Sequence, residues 1–313
     1  MTAVETLEAH RGELTGYCYR MLGAASEAED AVQETFVRAW RAEYDPAKAP
    51  VRAWLYAIAT NVCLDMLRSA QRRAVAMDLG PAASPGPDLG RPLPPDAWVR
   101  PLPDRLLGDP AEVAAQRDTI RLAFVAALQR LPPRQRAVLI LREVLAFSAA
   151  EVAELLGTTV ASINSALQRA RSTIGRAEPA EPLDKAHRDL LARYVDAFER
   201  HDVAALTALL HEDATMSMPP FVWWLRGRAD IAAALAHADF CANARLVETS
   251  VNGSPAFGQY GPAGPFALVT VEVSHAGITS ITTHLDLAGD FPRYGLPERP
   301  MSFAGPPRIS GHE

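Results

Sequence analysis

The stretch Ser148-Ala-Ala-Glu-Val-Ala-Glu-Leu-Leu-Gly157, continued by Thr-Thr-Val-Ala-Ser-Ile-Asn-Ser-Ala-Leu-Gln-Arg-Ala-Arg-Ser172, predicts two short helices joined by a tight turn. Ser148 and Glu151 have the spacing of a capping box, in which each side chain satisfies a free backbone N–H at the helix start. Gly157 stands where a helix needs a left-handed residue in order to end. Thr158 or Thr159 can then cap the second helix.

The second helix of this pair has one apolar and one polar face. Its apolar stripe recurs at helical spacing, and no acidic residue occurs between Thr158 and Ala177. Small polar side chains near a helix start can reach base edges in a major groove, and arginines further along can reach phosphates. A helical hairpin with a solvated polar face is the alternative. The apolar stripe is Ile163, Leu167, Ala170 and Ile174, and the polar face holds Ala161, Ser162, Asn164, Ser165, Gln168, Arg169, Arg171 and Ser172.

The charge of the chain is unevenly distributed. The net charge of −6 looks unfavourable for a nucleic-acid binder. Residues 128–176, however, carry seven Lys or Arg against three Asp or Glu, whereas residues 177–313 carry ten against seventeen. Positive charge is therefore concentrated around the helix pair, and the C-terminal part is acidic.

Length and composition favour a multi-domain protein of the cytoplasm. A chain of 313 residues suggests two or three domains. It has no run of eighteen apolar residues, so no membrane span is expected, and the start Met-Thr-Ala-Val-Glu does not resemble a signal peptide. Cys18, Cys63 and Cys241 are odd in number and lack metal-ligand spacing, so we expect a reducing compartment, no disulfide framework and no metal.

Residues 1–73 read as helices. The first is expected from about Thr2 to Leu22, ending at Gly23, and Ser26 with Glu29 has capping-box spacing for the next. In this second helix Val32, Phe36 and Trp40 form the predicted apolar stripe. An outward face is left over, which is either simply solvated or a docking face for a partner protein: Asp30, Gln33, Glu34, Arg38 and Arg41.

A third helix is predicted from Arg52 to about Arg73, with Leu55, Ile58, Ala59, Val62 and Met66 on its core face. A different arc holds Trp54, Asn61, Asp65 and Arg68. Asparagine is a poor former of helix interiors, so an exposed Asn61 needs a reason. Asp65 and Arg68 can pair at i, i+3. Such an aromatic and polar surface can hold unstacked bases, and a surface ion pair beside a half-buried Trp is the alternative.

Residues 74–110 are predicted to be a linker. Nine of the thirty residues from Pro81 to Pro110 are proline, which excludes helix and sheet and favours an extended, semi-rigid tether. Trp98 and Asp104 lie in an unusual segment of it, because an exposed Trp in a solvated linker is costly. We expect this segment to pack on a folded domain or in a partner's channel, with a plain spacer as the alternative.

The blocks Asp30-Ala-Val-Gln-Glu-Thr-Phe-Val-Arg-Ala-Trp40 and Trp54-Leu-Tyr-Ala-Ile-Ala-Thr-Asn61-Val-Cys-Leu-Asp65-Met-Leu-Arg68 resemble regions 2.2 to 2.4 of bacterial sigma-70-type factors. Within that superfamily they resemble the extracytoplasmic-function group. Leu131-Pro-Pro-Arg-Gln-Arg-Ala-Val-Leu-Ile-Leu-Arg142, together with the helix pair that opens this section, resembles region 4 of the same group. The resemblance implies region 2 over residues 1–73 and region 4 over residues 111–177, joined by the linker 74–110.

The resemblance also implies partners and site residues. The partners are core RNA polymerase, through its β′ clamp helices and β flap, and promoter DNA; no cofactor is implied, and the nucleotide chemistry is the polymerase's. Asn61 matches the position that receives a base flipped out of the −10 element, which costs a few kcal/mol of stacking. The implied −10 surface is Trp54, Asn61, Asp65, Arg68, Arg72 and Arg73. The implied −35 reader is Thr159, Ser162, Ser165, Gln168, Arg169 and Arg171, and the implied polymerase-docking face is Asp30, Gln33, Glu34, Arg38 and Arg41.

Residues 185–313 predict a different fold. Amphipathic helices come first, over residues 190–198 and 202–210, and another is expected at 230–236. Strand-like runs follow over residues 245–251, 266–274 and 278–287. Helices followed by antiparallel strands argue for an α+β domain. This order, with fragments such as Trp224-Leu-Arg-Gly-Arg228, resembles the SnoaL-like, NTF2-like group, a curved sheet wrapped by helices around an apolar cavity.

That resemblance places candidate residues in a cavity. His284 and Asp286 alternate along the last predicted strand, so both could point inward. Related folds include enzymes that use an inward Asp or His as a base. The domain could therefore catalyse a reaction, bind a small-molecule ligand, or contact the rest of the chain as a regulator. The candidate cavity residues are Trp223, Trp224, His284 and Asp286.

The sequence thus predicts two all-α domains followed by an α+β domain, acting as a promoter-specificity subunit of RNA polymerase regulated by its own C-terminal domain. We do not expect it to be an enzyme. One alternative is a ligand-responsive helix-turn-helix regulator that never joins polymerase, which leaves the 30–40 and 54–68 blocks unexplained. The other is an enzyme fused to a DNA-binding arm.

Overall fold

The computed structural model describes residues 7–42, 44–69, 80–86, 88–108, 110–174, 183–237 and 243–299. The chain divides into two compact units. Unit 1 comprises Met1–Leu79, Leu93–Glu181 and the four-residue turn Val251–Ser254, and unit 2 comprises Gly80–Pro92, Pro182–Ser250 and Pro255–Glu313. Among the described residues, no helix is long and apolar enough to cross a membrane.

Unit 1 begins with three helices: α1 (Arg11–Leu22), α2 (Ala25–Arg41) and α3 (Val51–Ser69). Helix α1 ends at Gly23, whose φ of 83° allows its N–H to reach the Tyr19 carbonyl at 2.8 Å. Ser26 is not the cap that we predicted. Helix α2 already includes Ala25, which is buried in the core, so the helix begins one residue too early for Ser26 to cap it.

The predicted apolar stripe of α2 is wrong at its C-terminal end. Val32 is fully buried, but Phe36 is only partly buried and 65% of Trp40 is exposed. The face of α2 that enters the core is made instead of small side chains, Ala25, Ala28, Ala31, Thr35 and Ala39. These let α2 approach its neighbouring helices closely, and the large side chains are turned away.

Five further helices follow in unit 1: α4 (Pro110–Ile120), α5 (Leu122–Gln129), α6 (Pro133–Leu139), α7 (Ala149–Leu155) and α8 (Val160–Ile174). Both bonds of the predicted capping box between Ser148 and Glu151 are present at the start of α7. Gly157 has a φ of 60°, and Thr159 Oγ1 accepts a hydrogen bond from the Ser162 N–H at 3.2 Å. Thr159 is therefore the residue that caps α8.

The eight α-helices given above, which are those described in unit 1, all contribute to one core, which two buried arginines cross-link. Arg20 of α1 donates to the Thr119 carbonyl, to Thr119 Oγ1 and to Gln116 Oε1, at 3.0, 2.8 and 2.9 Å. Arg136 of α6 donates to the carbonyls of Met21, Gln129 and Leu131 and to Gln129 Oε1. Because burial disfavours the charged form, it lowers the pKa of each guanidinium to about 10.

A second link joins α1 and α3 to the segment before α7. Arg52 donates to Glu13 Oε2 at 2.9 Å, and its guanidinium lies 4.9 Å from the centre of the Phe147 ring. Tyr56 meets Phe147 edge to face, with ring centres 5.5 Å apart. This cluster packs residues of the N-terminal helices directly against the helix-turn-helix region.

The proline-rich segment differs from the tether that we expected. We predicted that its prolines exclude helix, and this was wrong, because one-turn 3₁₀ helices form at Pro95–Ala97 and Asp104–Leu106. Proline is compatible with such starts because the first N–H groups of a helix need no internal partner. Trp98 is 4% exposed, and Val99, Leu102 and Leu107 join the core of unit 1.

The turn Val251–Ser254 is held by a dense set of hydrogen bonds inside unit 1. The Asn252 N–H and Oδ1 bond to the carbonyl and N–H of Leu102, each at 2.9 Å. The Asn252 amide nitrogen donates to Tyr19 Oη at 2.8 Å and to the Ile120 carbonyl. Asp104 Oδ1 accepts from the Gly253 N–H at 2.8 Å. Every polar group of the buried Asn252 side chain is thus satisfied.

Unit 2 is a mixed sheet covered by helices. It contains α9 (Lys185–Glu199), α10 (Val203–Ala208) and α11 (Arg228–Leu235). The strands are β1 (Leu210–Ser217), β2 (Trp224–Arg226), β3 (Arg245–Val251), β4 (Ser254–Gly261), β5 (Gly264–Ser274) and β6 (Gly277–His284). Their order in the sheet is β2-β1-β6-β5-β4-β3, with β1 parallel to β6. The predicted fold class, helical regions followed by an α+β domain, is confirmed.

The last predicted strand is too long. Strand β6 ends at His284, and a 3₁₀ helix runs from Leu285 to Tyr294. Asp286 therefore lies in a helical turn and does not alternate with His284 along a strand. The fragment Gly289-Asp-Phe-Pro292 within this segment is a typical non-strand sequence, because glycine and proline disfavour sheet interiors.

We predict that Arg136→Ala destabilises the protein by on the order of 3 kcal/mol, because the oxygens of Met21, Gln129 and Leu131 stay buried without a donor. Arg134→Ala is the matched control, since Arg134 lies two residues earlier on the same helix, is exposed, and should change stability by less than about 0.5 kcal/mol. Urea denaturation followed by tryptophan fluorescence measures both. Equal midpoints for the two variants would contradict this role for Arg136.

Candidate functional site

Helix α8 presents a polar surface without acidic residues. Ile163, Leu167 and Ala170 are buried, which turns the opposite face to solvent. Arg171 is oriented by a 2.6 Å bond from its Nη2 to Glu143 Oε1. The start of α8 carries the positive end of the helix dipole, so this face suits a polyanion. All six predicted contact residues are exposed on α8 or at its cap: Thr159, Ser162, Ser165, Gln168, Arg169 and Arg171.

Helix α3 presents the predicted arc of polar residues. Asn61, Asp65 and Arg68 are exposed, while the helix buries its other side in the core of unit 1. Trp54 is partly buried and stacks on Tyr44, with ring centres 4.9 Å apart. Arg72 and Arg73, which we predicted for the same surface, lie outside the described residues.

The arc on α3 is connected to the predicted docking face on α2. Arg38 donates to Glu34 Oε1 at 2.7 Å and to Asp65 Oδ2 at 3.3 Å. Asp65 also accepts from Arg68 at 3.3 Å. The bond to Glu34, aided by Asp65, raises the pKa of Arg38. The two predicted sites therefore share one chain of charged groups, which orients Arg38 and Arg68. Asp30, Gln33, Glu34 and Arg41 are exposed on α2.

Sequence reasoning missed Trp40, which we had assigned to the core. It lines a shallow groove on the surface of α2, beside Gln33, Phe36 and Arg41. Arg11 of α1 lies over the Phe36 ring at 4.8 Å and forms another part of this groove. The alanines of α2 were the available signal, since they recur at helical spacing and mark a different core face.

Unit 2 encloses a cavity of about 420 Å³. Of the four predicted cavity residues, Trp223 is among those that line it, whereas Trp224, His284 and Asp286 are not. Thr283 lines the cavity, and the side chain that follows it on a strand points to the opposite face, so His284 is directed away. Asp286 is displaced by the 3₁₀ helix that begins at Leu285.

One group of side chains in unit 2 has metal-ligand chemistry: Asp184, His187 and His275. Their ligand atoms lie within 4.8 Å of one another. Asp184, however, is the N-cap of α9 and accepts from the His187 N–H at 3.0 Å, and His187 Nδ1 accepts from the Asp184 N–H at 3.3 Å. A helix cap therefore explains why Asp184 and His187 lie together.

Comparison with known families divides the chain into three segments. Residues 6–73 match the family Sigma-70 region 2, residues 121–174 match Sigma-70 region 4, and residues 191–275 match the SnoaL-like domain. The predicted boundaries 1–73, 74–110, 111–177 and 185–313 stay predictions.

Full-length relatives match as well. The chain is 41% identical over 311 residues to the ECF RNA polymerase sigma factor SigG of Mycobacterium tuberculosis, covering 93% of this chain and 83% of that protein. It is 34% identical over 221 residues to SigJ of the same organism, covering 68% and 64%. The crystal structure of the M. tuberculosis extracytoplasmic function sigma factor SigJ aligns with a TM-score of 0.60 at 26% identity, over 91% of this chain and 97% of that one.

Proposed function

This chain belongs to the extracytoplasmic-function group of RNA polymerase sigma factors. On that basis we propose which of its surfaces recognise promoter DNA and which binds polymerase. It binds core RNA polymerase and directs transcription initiation at specific promoters. Membership of the family decides against a regulator that never joins polymerase. We further propose that the chain itself catalyses no reaction and acts in the cytoplasm, where promoter DNA and polymerase are found.

We assign −35 recognition to α8. A helix that buries Ile163, Leu167 and Ala170 can lie in a major groove with its N-terminal side chains on the base edges. Ser162 and Ser165 are short enough for close approach, and Gln168 can bond to an adenine edge. Arg169 and Arg171 then lie near the phosphates, which position the helix and make affinity depend on salt.

We assign −10 recognition to α3, and the observation that carries this assignment is the exposed amide of Asn61 within a nineteen-residue helix. An amide offers both a donor and an acceptor to the Watson–Crick edge of an unpaired base. Arg68, which Asp65 orients, supplies positive charge for the backbone of the same strand. Trp54 borders this surface as part of a stacked pair with Tyr44.

We assign polymerase binding to the exposed face of α2, with Trp40 at its centre. Trp is enriched among the anchor residues of protein–protein interfaces, and 65% of Trp40 is exposed. Charged and polar residues surround it on the same helix, as in the polar rim of a protein–protein contact. Because Arg38 bonds to Asp65, docking at α2 can also orient the DNA-facing arc on α3.

We propose that residues 183–313 regulate these activities through the turn Val251–Ser254. This turn belongs to unit 1, where Asn252 joins α1, the proline-rich segment and the end of α4 by hydrogen bonds. The turn therefore favours the arrangement in which helices α1 to α8 share one core. If polymerase binds a more open arrangement, its apparent affinity falls by the fraction of molecules that are closed.

Asn61→Ala should reduce promoter melting by roughly ten-fold while leaving the affinity for core polymerase unchanged, because the base loses its pocket contact and the α2 face is intact. A fluorescent base analogue in the −10 element measures melting, and fluorescence polarisation measures binding to core polymerase. Equal loss of both activities would mean that Asn61 has a structural role only.

Trp40→Ala should weaken core polymerase binding by about 2 kcal/mol, or roughly thirty-fold, without lowering the thermal stability of the free protein. The exposure of Trp40 is the reason for both expectations. Val222→Ala, which truncates an exposed apolar residue of unit 2, is the control and should bind normally. Unchanged affinity of the Trp40 variant would remove α2 from the interface.

Asn252→Ala should raise core polymerase affinity and single-round transcription several-fold, because it removes the side-chain bonds that hold the turn. Asn243→Ala is the matched control, since Asn243 also has a positive φ but is exposed. Polarisation with labelled core polymerase and transcription from a cognate promoter are the measurements. A loss of affinity in the Asn252 variant, or no change, would overturn regulation through this turn.

A further inference from the structure

Val160, the first residue of α8, is an apolar side chain at the end of the helix that we assign to the −35 element, and it is 44% exposed. We propose that Val160 contacts the C5 methyl group of one thymine in the −35 element and so determines which base the chain selects there. The inference rests on the assignment of −35 recognition to α8, and it adds an apolar contact to the polar ones.

The backbone at the start of α8 directs Val160 outward. Thr159 Oγ1 accepts a hydrogen bond from the Ser162 N–H at 3.2 Å, which makes Thr159 the cap and Val160 the first helical residue. In an α-helix each Cα–Cβ bond is tilted toward the N-terminus, so the side chain of the first residue extends toward the helix end. In a helix-turn-helix, that end of the second helix carries residues that contact base edges.

Packing within unit 1 does not account for Val160. Ile163, three residues later, is buried, whereas Val160 is not among the described apolar residues that form the core of unit 1 or pack against it. Valine is also a poorer helix former than alanine, because its branched side chain loses χ1 freedom in a helix. Val160 therefore contributes little to the stability of the free protein, and its side chain remains available for a contact.

The residues around Val160 permit close approach to a base edge. All six residues from Gly157 to Ser162 are exposed, and apart from Val160 they are Gly, Thr, Ala or Ser. No charged residue occurs from Gly157 to Gln168. The free N–H groups and the dipole at a helix start also attract phosphate, which draws this end toward DNA. The start of α8 is therefore suited to short-range contacts, and charged contacts begin only at Arg169.

The chemistry of the base edges makes thymine the fitting partner. In the major groove thymine presents a methyl group beside its acceptor, whereas the other three bases are distinguished by their donors and acceptors. Valine neither donates nor accepts a hydrogen bond, so against those bases it would displace water from a polar group without replacing the bond. Against thymine it buries apolar surface of both groups. Its branched side chain has few rotamers and loses little conformational freedom on contact.

The first test selects promoters with holoenzyme, made from the full chain and core polymerase, out of duplexes randomised in the −35 element. The parent protein should enrich thymine at one position. Val160→Ala should reduce that preference roughly two- to five-fold, the effect of about one buried methyl group. Val160→Ile keeps a branched apolar side chain and should retain the preference. Val222→Ala truncates an exposed valine of unit 2, so it is the matched control and should select as the parent does.

The second test removes the methyl group from the DNA instead. Deoxyuridine in place of the selected thymine changes the C5 methyl to hydrogen and leaves the base pair and the rest of the promoter intact. In a competition assay the parent holoenzyme should bind the deoxyuridine promoter roughly two- to five-fold more weakly. Val160→Ala holoenzyme should bind both promoters equally, because the contact is already lost. Alanine is the better helix former, so this variant should fold as the parent does.

The outcomes separate this contact from the wider role of α8. Gln168→Ala, on the exposed face of the same helix, should alter the selection at a different position. The role of Val160 is overturned, and α8 stays the −35 reader, if Gln168→Ala alters the selected sequence but Val160→Ala does not. An equal response of parent and Val160→Ala holoenzymes to deoxyuridine has the same meaning. If neither variant alters the selection, the assignment of α8 to the −35 element fails, and this contact fails with it.

Discussion

The helical unit depends on two guanidinium groups that are buried among oxygens of neutral groups. Arg20 and Arg136 bring full charges into a core where burial lowers the pKa of each to about 10. A buried charge is tolerated only if hydrogen bonds in good geometry replace water. The bonds run from α1 to α4 and from α6 back to α1, so the positions of these helices are fixed together. Apolar contacts alone would allow them to slide.

The sequence predicted correctly those features that depend only on residues close together in the chain. The capping box at Ser148, the left-handed Gly157 and the apolar stripe of α8 all depend on residues within one or two helical turns. All are present, with Ile163, Leu167 and Ala170 buried and Ile174 partly buried. Trp40 shows the limit of this reasoning. Its spacing from Val32 and Phe36 predicted burial, but the face of α2 that packs on the neighbouring helices consists of Val32 and smaller side chains and excludes Trp40. That preference depends on α1 and α3, which periodicity within α2 cannot reveal.

The sheet was harder to predict because some of its strands contain exposed charged residues or residues that disfavour strands. Strand β1 contains exposed Glu212 and Asp213 and was not recognised, and β4 was missed because Pro255 and Gly258 disfavour strands. A usable signal was present, since Asn252-Gly253 is a strong two-residue hairpin sequence and both residues have positive φ. The site assignments on α2, α3 and α8 rest on the family resemblance. Exposure of these residues supports them, and they stay predictions.

The turn at Asn252 also has a consequence for the order in which the protein is made. Its amide completes a hydrogen-bond set with Tyr19, which lies 233 residues earlier in the chain. The ribosome therefore synthesises helices α1 to α8 before it has made Asn252, the residue that completes the hydrogen bonds of their shared core. About 80 residues separate the end of α8 from Asn252, and at bacterial elongation rates this interval lasts roughly 4 to 16 seconds. During that time the nascent helices lack one buried partner, so each newly made molecule passes through a less constrained state before its core is complete.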